Sequence, residues 1–172
     1  MAISNSVDAQ HFDVAVIGAG IAGSMSAILC SRAGLRTILL ERHRFPRDKV
    51  CGCCINGRAF QILKRAGLES GLRQLQPATT SSLAIQYRGR RLNVAMPTGF
   101  AVSRRSMDQW LVEEAVKSGC EFWDEVTASV QPLSSEPDER EIQIRFTNPR
   151  DCRPDQAQRR SGIDESSAGT AL

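Results

Sequence analysis

Between the apolar run Asp13-Val14-Ala15-Val16-Ile17 and the helical pattern that follows it lie three glycines spaced G-x-G-x-x-G, namely Gly18, Gly20 and Gly23. No other feature of the chain limits its fold so strongly. A short run rich in β-branched residues that stops at glycine is the pattern of a buried parallel strand. From about Gly20 to Ala33, residues Ile21, Ser24, Met25, Ile28 and Leu29 recur at spacings of three and four, and Gly34 stands where a left-handed residue closes a helix. Leu35 to Leu40 then gives a second apolar strand ending at Glu41. Strand, helix and strand in about thirty residues make a βαβ unit. Within it each glycine has its own reason. Gly18 permits the tight turn out of the strand, Gly20 clears the approach of a pyrophosphate, and Gly23 lets the helix pack closely on the strand. The N–H groups and positive dipole end of the helix then point at the phosphates. Glu41, 23 residues beyond Gly18, is placed to accept hydrogen bonds from an adenosine ribose and to repel a 2′-phosphate. These residues specify a dinucleotide site at which FAD and NAD both remain open and NADP is disfavoured.

The rest of the chain reads as shorter pieces. Gly57 to Ala66 carries Ala59, Phe60, Leu63 and Ala66 on one helical face and closes on Gly67. Leu83 to Tyr87 and Leu92 to Met96 alternate apolar and polar positions around Arg88-Gly89-Arg90, the signature of an antiparallel hairpin. Ser106 with Gln109 forms a capping box for a helix running to about Ser118, with Met107, Trp110, Leu111 and Ala115 on one face. Strands are expected near Glu121 to Val130 and Glu141 to Phe146. Residues 12–146 are therefore assigned to the nucleotide-binding domain, with 1–11 a flexible N-terminus. From Thr147 to Leu172 there is no periodic apolar pattern, so this stretch is expected to be a disordered tail.

With 172 residues, 41% of them hydrophobic and 24% charged, the chain has the composition of one globular domain. A chain of this length buries about 68–70% of its unfolded surface. No apolar run approaches the about 20 residues that span a bilayer, so an integral membrane segment is not expected. Met1 to His11 show no secretory pattern, which places the protein in the cytoplasm with its six cysteines reduced. The net charge of +3 is mild, and the basic stretch from Arg42 to Lys49 is too short and too poor in aromatics for nucleic acid. Cys51-Gly52-Cys53-Cys54 lacks the second cluster that a structural zinc needs, and His11 and His43 have no ligand spacing, so no metal is expected.

The run Glu41-Arg42-His43-Arg44-Phe45-Pro46-Arg47-Asp48-Lys49-Val50-Cys51-Gly52 resembles the segment after the second strand in geranylgeranyl reductase-like flavoproteins and in the related flavin-dependent halogenases and aromatic monooxygenases. That segment has an acid, an arginine, Phe-Pro-Arg, a lysine and Cys-Gly. A second match is Ser103-Arg104-Arg105-Ser106-Met107-Asp108-Gln109-Trp110-Leu111, similar to the group's Arg-x-x-(apolar)-Asp-x-x-Leu helix opening. The resemblance covers roughly residues 12 to 130. It implies an α/β fold, a Rossmann-like FAD/NAD(P)-binding βαβ unit with an inserted antiparallel β hairpin, and FAD as cofactor with NAD(P)H as a transient electron donor. It puts Gly18, Gly20, Ala22 and Gly23 on the pyrophosphate, Glu41 on the ribose, and Arg42 beside the adenosine. Cys51, Gly52 and Arg104 would face the cofactor, and the substrate would be a small hydrophobic or aromatic molecule. Such flavoproteins are substantially longer, with a further flavin-binding strand carrying Gly-Asp or Asp-Gly. That strand is not found here, so the reading is of a fragment or shortened member of the group, with a catalytically silent nucleotide-binding remnant or an NAD-binding protein as the alternatives.

Overall fold

The computed structural model describes residues 10–50, 54–132 and 140–147. The expected N-terminal flexibility and the expected tail fall almost wholly outside the described residues, as do Cys51 and Gly52. The described residues fall into two compact units, one made of those up to 44 and from 114 onward and the other of those between 45 and 113.

The first unit is built on the βαβ pattern. Strand β1 (Val14–Ile17) leads through the glycines into helix α1 (Ile21–Arg32), which returns to strand β2 (Thr37–Leu40). The two strands pair in parallel, Val14 opposite Thr37 through Ile17 opposite Leu40. Gly34, with φ +85°, ends α1 in the left-handed conformation that suits glycine. Asp13 then joins the two strand starts, since its carboxylate accepts from the Arg36 N–H at 2.7 Å. The buried stripe of α1 is Ser24, Met25, Ala27 and Ile28, whereas Ile21 and Leu29 of the expected stripe are exposed. Small side chains at Gly23, Ser24 and Ala27 let the helix approach its neighbours closely, and that approach decides which face is covered. All four residues of β2 are buried, as in a central strand. Its second neighbour is β6 (Glu121–Trp123), again parallel, giving the order β1-β2-β6.

The strand expected from Glu121 to Val130 is in fact two. Glu125 has φ +57°, so the backbone turns after β6, and β7 (Val126–Val130) pairs antiparallel with β8 (Ile142–Phe146) in a separate ribbon. Ile38, Leu40 and Val126 form one buried cluster of this unit, packed by Phe12, Ala15, Trp123, Ile144 and Phe146 among others.

The second unit contains the short strand β3 (Cys54–Ile55), helices α2 (Gly57–Arg65) and α3 (Glu69–Gln74), the strands β4 (Ala78–Tyr87) and β5 (Arg90–Ala101), and the first ten residues of helix α4 (Arg104–Lys117). Asn56 caps α2 by accepting the Ala59 N–H at 2.9 Å. The hairpin forms about Arg88 and Gly89, both at positive φ, and is longer than the alternating pattern marks. Its register shifts between Thr80 and Ser82, where the facing segment of β5 holds Pro97, a residue with no N–H for a ladder. One hairpin face carries Leu83, Ile85, Tyr87, Leu92, Val94 and Met96, which are 40–68% exposed. The cap of α4 differs from expectation. Ser103 Oγ accepts the Ser106 N–H at 3.0 Å, so Ser103 is the capping residue and Ser106 lies inside the first turn. Gln109 reaches forward to Glu113 at 2.8 Å rather than back to Ser106.

Candidate functional site

The glycine loop takes its shape from backbone needs that side chains would defeat. Gly18 has φ +103°. A Cβ built on Gly23 would collide with the Gly18 carbonyl oxygen and lie 3.3 Å from Val16 Cγ1, so strand and helix touch here through bare backbone. The N-cap of α1 is Gly20, and neither a capping side chain nor an acid occupies the first turn. A helix opened in this way offers its first N–H groups to an external anion.

Glu41 begins the loop after β2, and its backbone closes the sheet. Its N–H donates to Trp123 O and its carbonyl accepts from Val126 N, both at 2.9 Å, while Gly18 N donates to Leu40 O at 2.7 Å. The side chain therefore starts from a fixed point beside the glycine loop. It is 6% exposed, and its carboxylate accepts the Ala19 N–H on Oε2 at 3.0 Å. On Oε1 it accepts the His43 N–H at 3.0 Å and meets His43 Nδ1 at the same distance. A buried carboxylate is costly unless donors surround it, and here two of them come from the polypeptide backbone. The acid thus ties the glycine loop to the loop after β2.

Of the residues named from sequence, Gly18, Gly20, Ala22, Gly23, Glu41 and Arg42 lie in the first unit, Arg42 with an exposed side chain. Arg104 lies in the second, on the first turn of α4. It forms a two-pronged pair with Asp108, Nε to Oδ1 at 2.8 Å and one terminal nitrogen to Oδ2 at 2.9 Å. Arg47 of the Phe-Pro-Arg segment reaches Oδ2 of the same carboxylate at 3.2 Å. Asp108 is fully buried, and the two guanidinium groups neutralise it. Asp108 and Arg47 stand in the two motif segments but carry no expected site role, although the i,i+4 spacing of Arg104 and Asp108 is a signal for their pairing. His43 also belongs to the site, and no periodic pattern in the sequence marks it.

Among the described residues no cluster of His, Cys, Asp and Glu has the makings of a metal site, and no helix is long and apolar enough to cross a membrane. Burial pushes the Cys120 thiol up to about 11, which keeps it protonated and unreactive.

A parallel βαβ unit whose uncapped helix start and glycine turn lie beside a buried acid defines a dinucleotide-binding α/β protein. The FAD binding domain family matches residues 11–155, and the chain belongs to that family. Among similar proteins are digeranylgeranylglycerophospholipid reductase 2 of Methanopyrus kandleri, 35% identical over 65% of this chain and 28% of that protein, and geranylgeranyl diphosphate reductase of Rhodobacter capsulatus, 36% identical over 65% and 27%. The chain thus spans less than a third of these relatives. Similar folds occur in the myxobacterial chondrochloren halogenase CndH (TM-score 0.66, 20% identity, 79% of this chain and 33% of that one). PqsL, a probable FAD-dependent monooxygenase from Pseudomonas aeruginosa, is equally close in fold (TM-score 0.66, 19% identity, 78% and 38%). The left-handed Gly18, the uncapped start of α1 and the acid at the end of β2 fit the adenosine and pyrophosphate half of FAD.

Proposed function

We propose that this chain supplies the ADP-binding half of a FAD-dependent oxidoreductase of the geranylgeranyl reductase or monooxygenase-halogenase type. The observation that carries the reading is the Glu41 carboxylate, buried at the end of β2 and bonded to the Ala19 N–H of the glycine loop. A carboxylate held there accepts the ribose hydroxyls and leaves no room for a 2′-phosphate. The first turn of α1, reached past Gly18, Gly20, Ala22 and Gly23, binds the pyrophosphate. Arg42 serves the adenosine side, and Arg104, fixed by Asp108, presents a planar cation to a phosphate or ribityl oxygen. The resemblance of the Phe-Pro-Arg segment assigns Cys51 and Gly52 to the flavin side. When bound, FAD supplies the redox chemistry at that ring. NAD(P)H is the transient electron donor and a small hydrophobic or aromatic molecule the substrate, a choice supported by the geranylgeranyl substrates that the relatives' names carry. Unpaired thiols at Cys30, Cys54 and Cys120 suit a reducing cytoplasm.

A second reading is nucleotide binding without turnover by this chain. Titration with ADP and with 2′-phospho-ADP tests what the two readings share. ADP binds more tightly, and Glu41→Ala costs about 1.5–3 kcal/mol of that affinity, the worth of a hydrogen bond to a charged group. Equal affinity for the two nucleotides would remove Glu41 from the ribose.

A further inference from the structure

A glutamate that is to read a ribose must hold its carboxylate in one orientation, and this side chain has several rotatable bonds with which to lose it. In this chain the orientation is held from both sides. The Ala19 N–H takes Oε2 at 3.0 Å, and on Oε1 the His43 N–H and His43 Nδ1 both stand at 3.0 Å. All of these groups lie within one compact unit. Ala19 and the His43 amide are backbone donors that any residue would supply. The ring contact, by comparison, depends on the side chain at position 43.

The ring contact also has a defined chemistry. An ionised carboxylate only accepts, so the ring nitrogen facing it must carry a proton, which in a neutral imidazole fixes the Nδ1–H tautomer. The His43 side chain is 57% exposed while Glu41 is 6% exposed, so the ring stands at the solvent end of this contact. A donor there holds the acid in one rotamer before the nucleotide arrives. Ordering completed on folding is not subtracted from affinity on binding.

We propose that His43 is a positioning residue for nucleotide recognition, which donates from Nδ1 to Glu41 and preorganises that carboxylate for the adenosine ribose. The proposal rests on the ADP-binding reading above. His43 acts through Glu41 and needs no contact of its own with the nucleotide.

The test uses the full chain and ADP, with affinities from calorimetry. His43→Ala keeps the backbone N–H and loses the ring, and it binds ADP about three- to tenfold more weakly, the effect of freeing one rotamer-rich side chain. His43→Asn, whose amide NH2 stands near the place of Nδ1, restores most of the affinity. His43→Gln, whose amide reaches the place of Nε2, does not. An inert surface role for His43 predicts that all three variants bind alike, and a general loss of packing predicts that all three fail alike, so either result overturns the proposal. A ligand-free measurement decides the contact itself. Imidazole 15N shifts in alkaline buffer show the proton on Nδ1 of His43, and a proton on Nε2 would overturn the pairing. If the unaltered chain binds no ADP, the ADP-binding reading fails, and the proposal falls with it even where the tautomer measurement upholds the contact.

Discussion

Two glycines with the same freedom from side chains have opposite duties. A Cβ on Gly23 meets the Gly18 carbonyl and stands 3.3 Å from Val16 Cγ1, neither of which moves cheaply, because one is backbone and the other belongs to a strand of the central sheet. Gly57 opens α2 with nothing within 4 Å of its added Cβ. Gly23→Ala is expected to destabilise the fold by about 1–3 kcal/mol, the cost of overpacking, and to abolish measurable ADP binding. Gly57→Ala should raise stability by about 0.5–1 kcal/mol and leave ADP affinity unchanged. Urea denaturation with ADP titration of both variants separates them, and a Gly23→Ala chain that binds ADP normally would show that the loop has slack. The spacing alone named Gly23, since no other residue fits so close a turn. It did not name His43, because a hydrogen bond between positions two apart depends on the loop conformation after β2 and leaves no periodic trace.

At the level of elements, the start of α4 shows how a cap is decided. The capping-box pattern points to Ser106, and Ser103 and Ser106 are both exposed. The one that accepts an N–H three residues on is Ser103. Ser103→Ala should therefore cost about 1 kcal/mol of stability, whereas Ser106→Ala should cost well under that, about a few tenths. The reverse order in urea denaturation would restore the later helix start. The same helix holds the two-pronged pair of Arg104 with Asp108, in register only because both lie on the helical side of that cap. The helix α3 and the two-residue strand β3 leave no mark in the sequence pattern. Six residues without a full apolar period and two residues beside a cysteine cluster carry too little pattern to rise above a loop.

For the molecule as a whole, the matched region ends well short of its relatives, which are covered to 27–28%. The residues proposed for the pyrophosphate turn, the ribose and the adenosine sit in one unit and are all described, while the residues proposed for the flavin ring are few. A productive flavin needs its ring held in a protected pocket beside the substrate. The chain by itself is expected to bind the ADP half of added FAD, with flavin absorbance and fluorescence close to those of the free cofactor and no gain in NAD(P)H oxidation. Stoichiometric, tightly retained FAD with NAD(P)H oxidation abolished by Gly20→Val would show instead that this chain suffices for chemistry.

Local pattern by itself determined the βαβ unit, the glycine loop, the acid at the end of the second strand and the hairpin, because each rests on the period of a single segment or on the chemistry of a single turn. Tertiary structure decided the rest. The pairing of β2 with β6 joins segments about eighty residues apart and depends on burial of both, which no local window contains. The buried face of α1 passed from Leu29 to Ala27 because close approach favours the smaller side chain. The bond from Ala19 to the Glu41 carboxylate exists only once β1 and β2 lie side by side, and it is that parallel pairing, not the spacing of the residues, that brings an acid at a strand end onto the glycine loop.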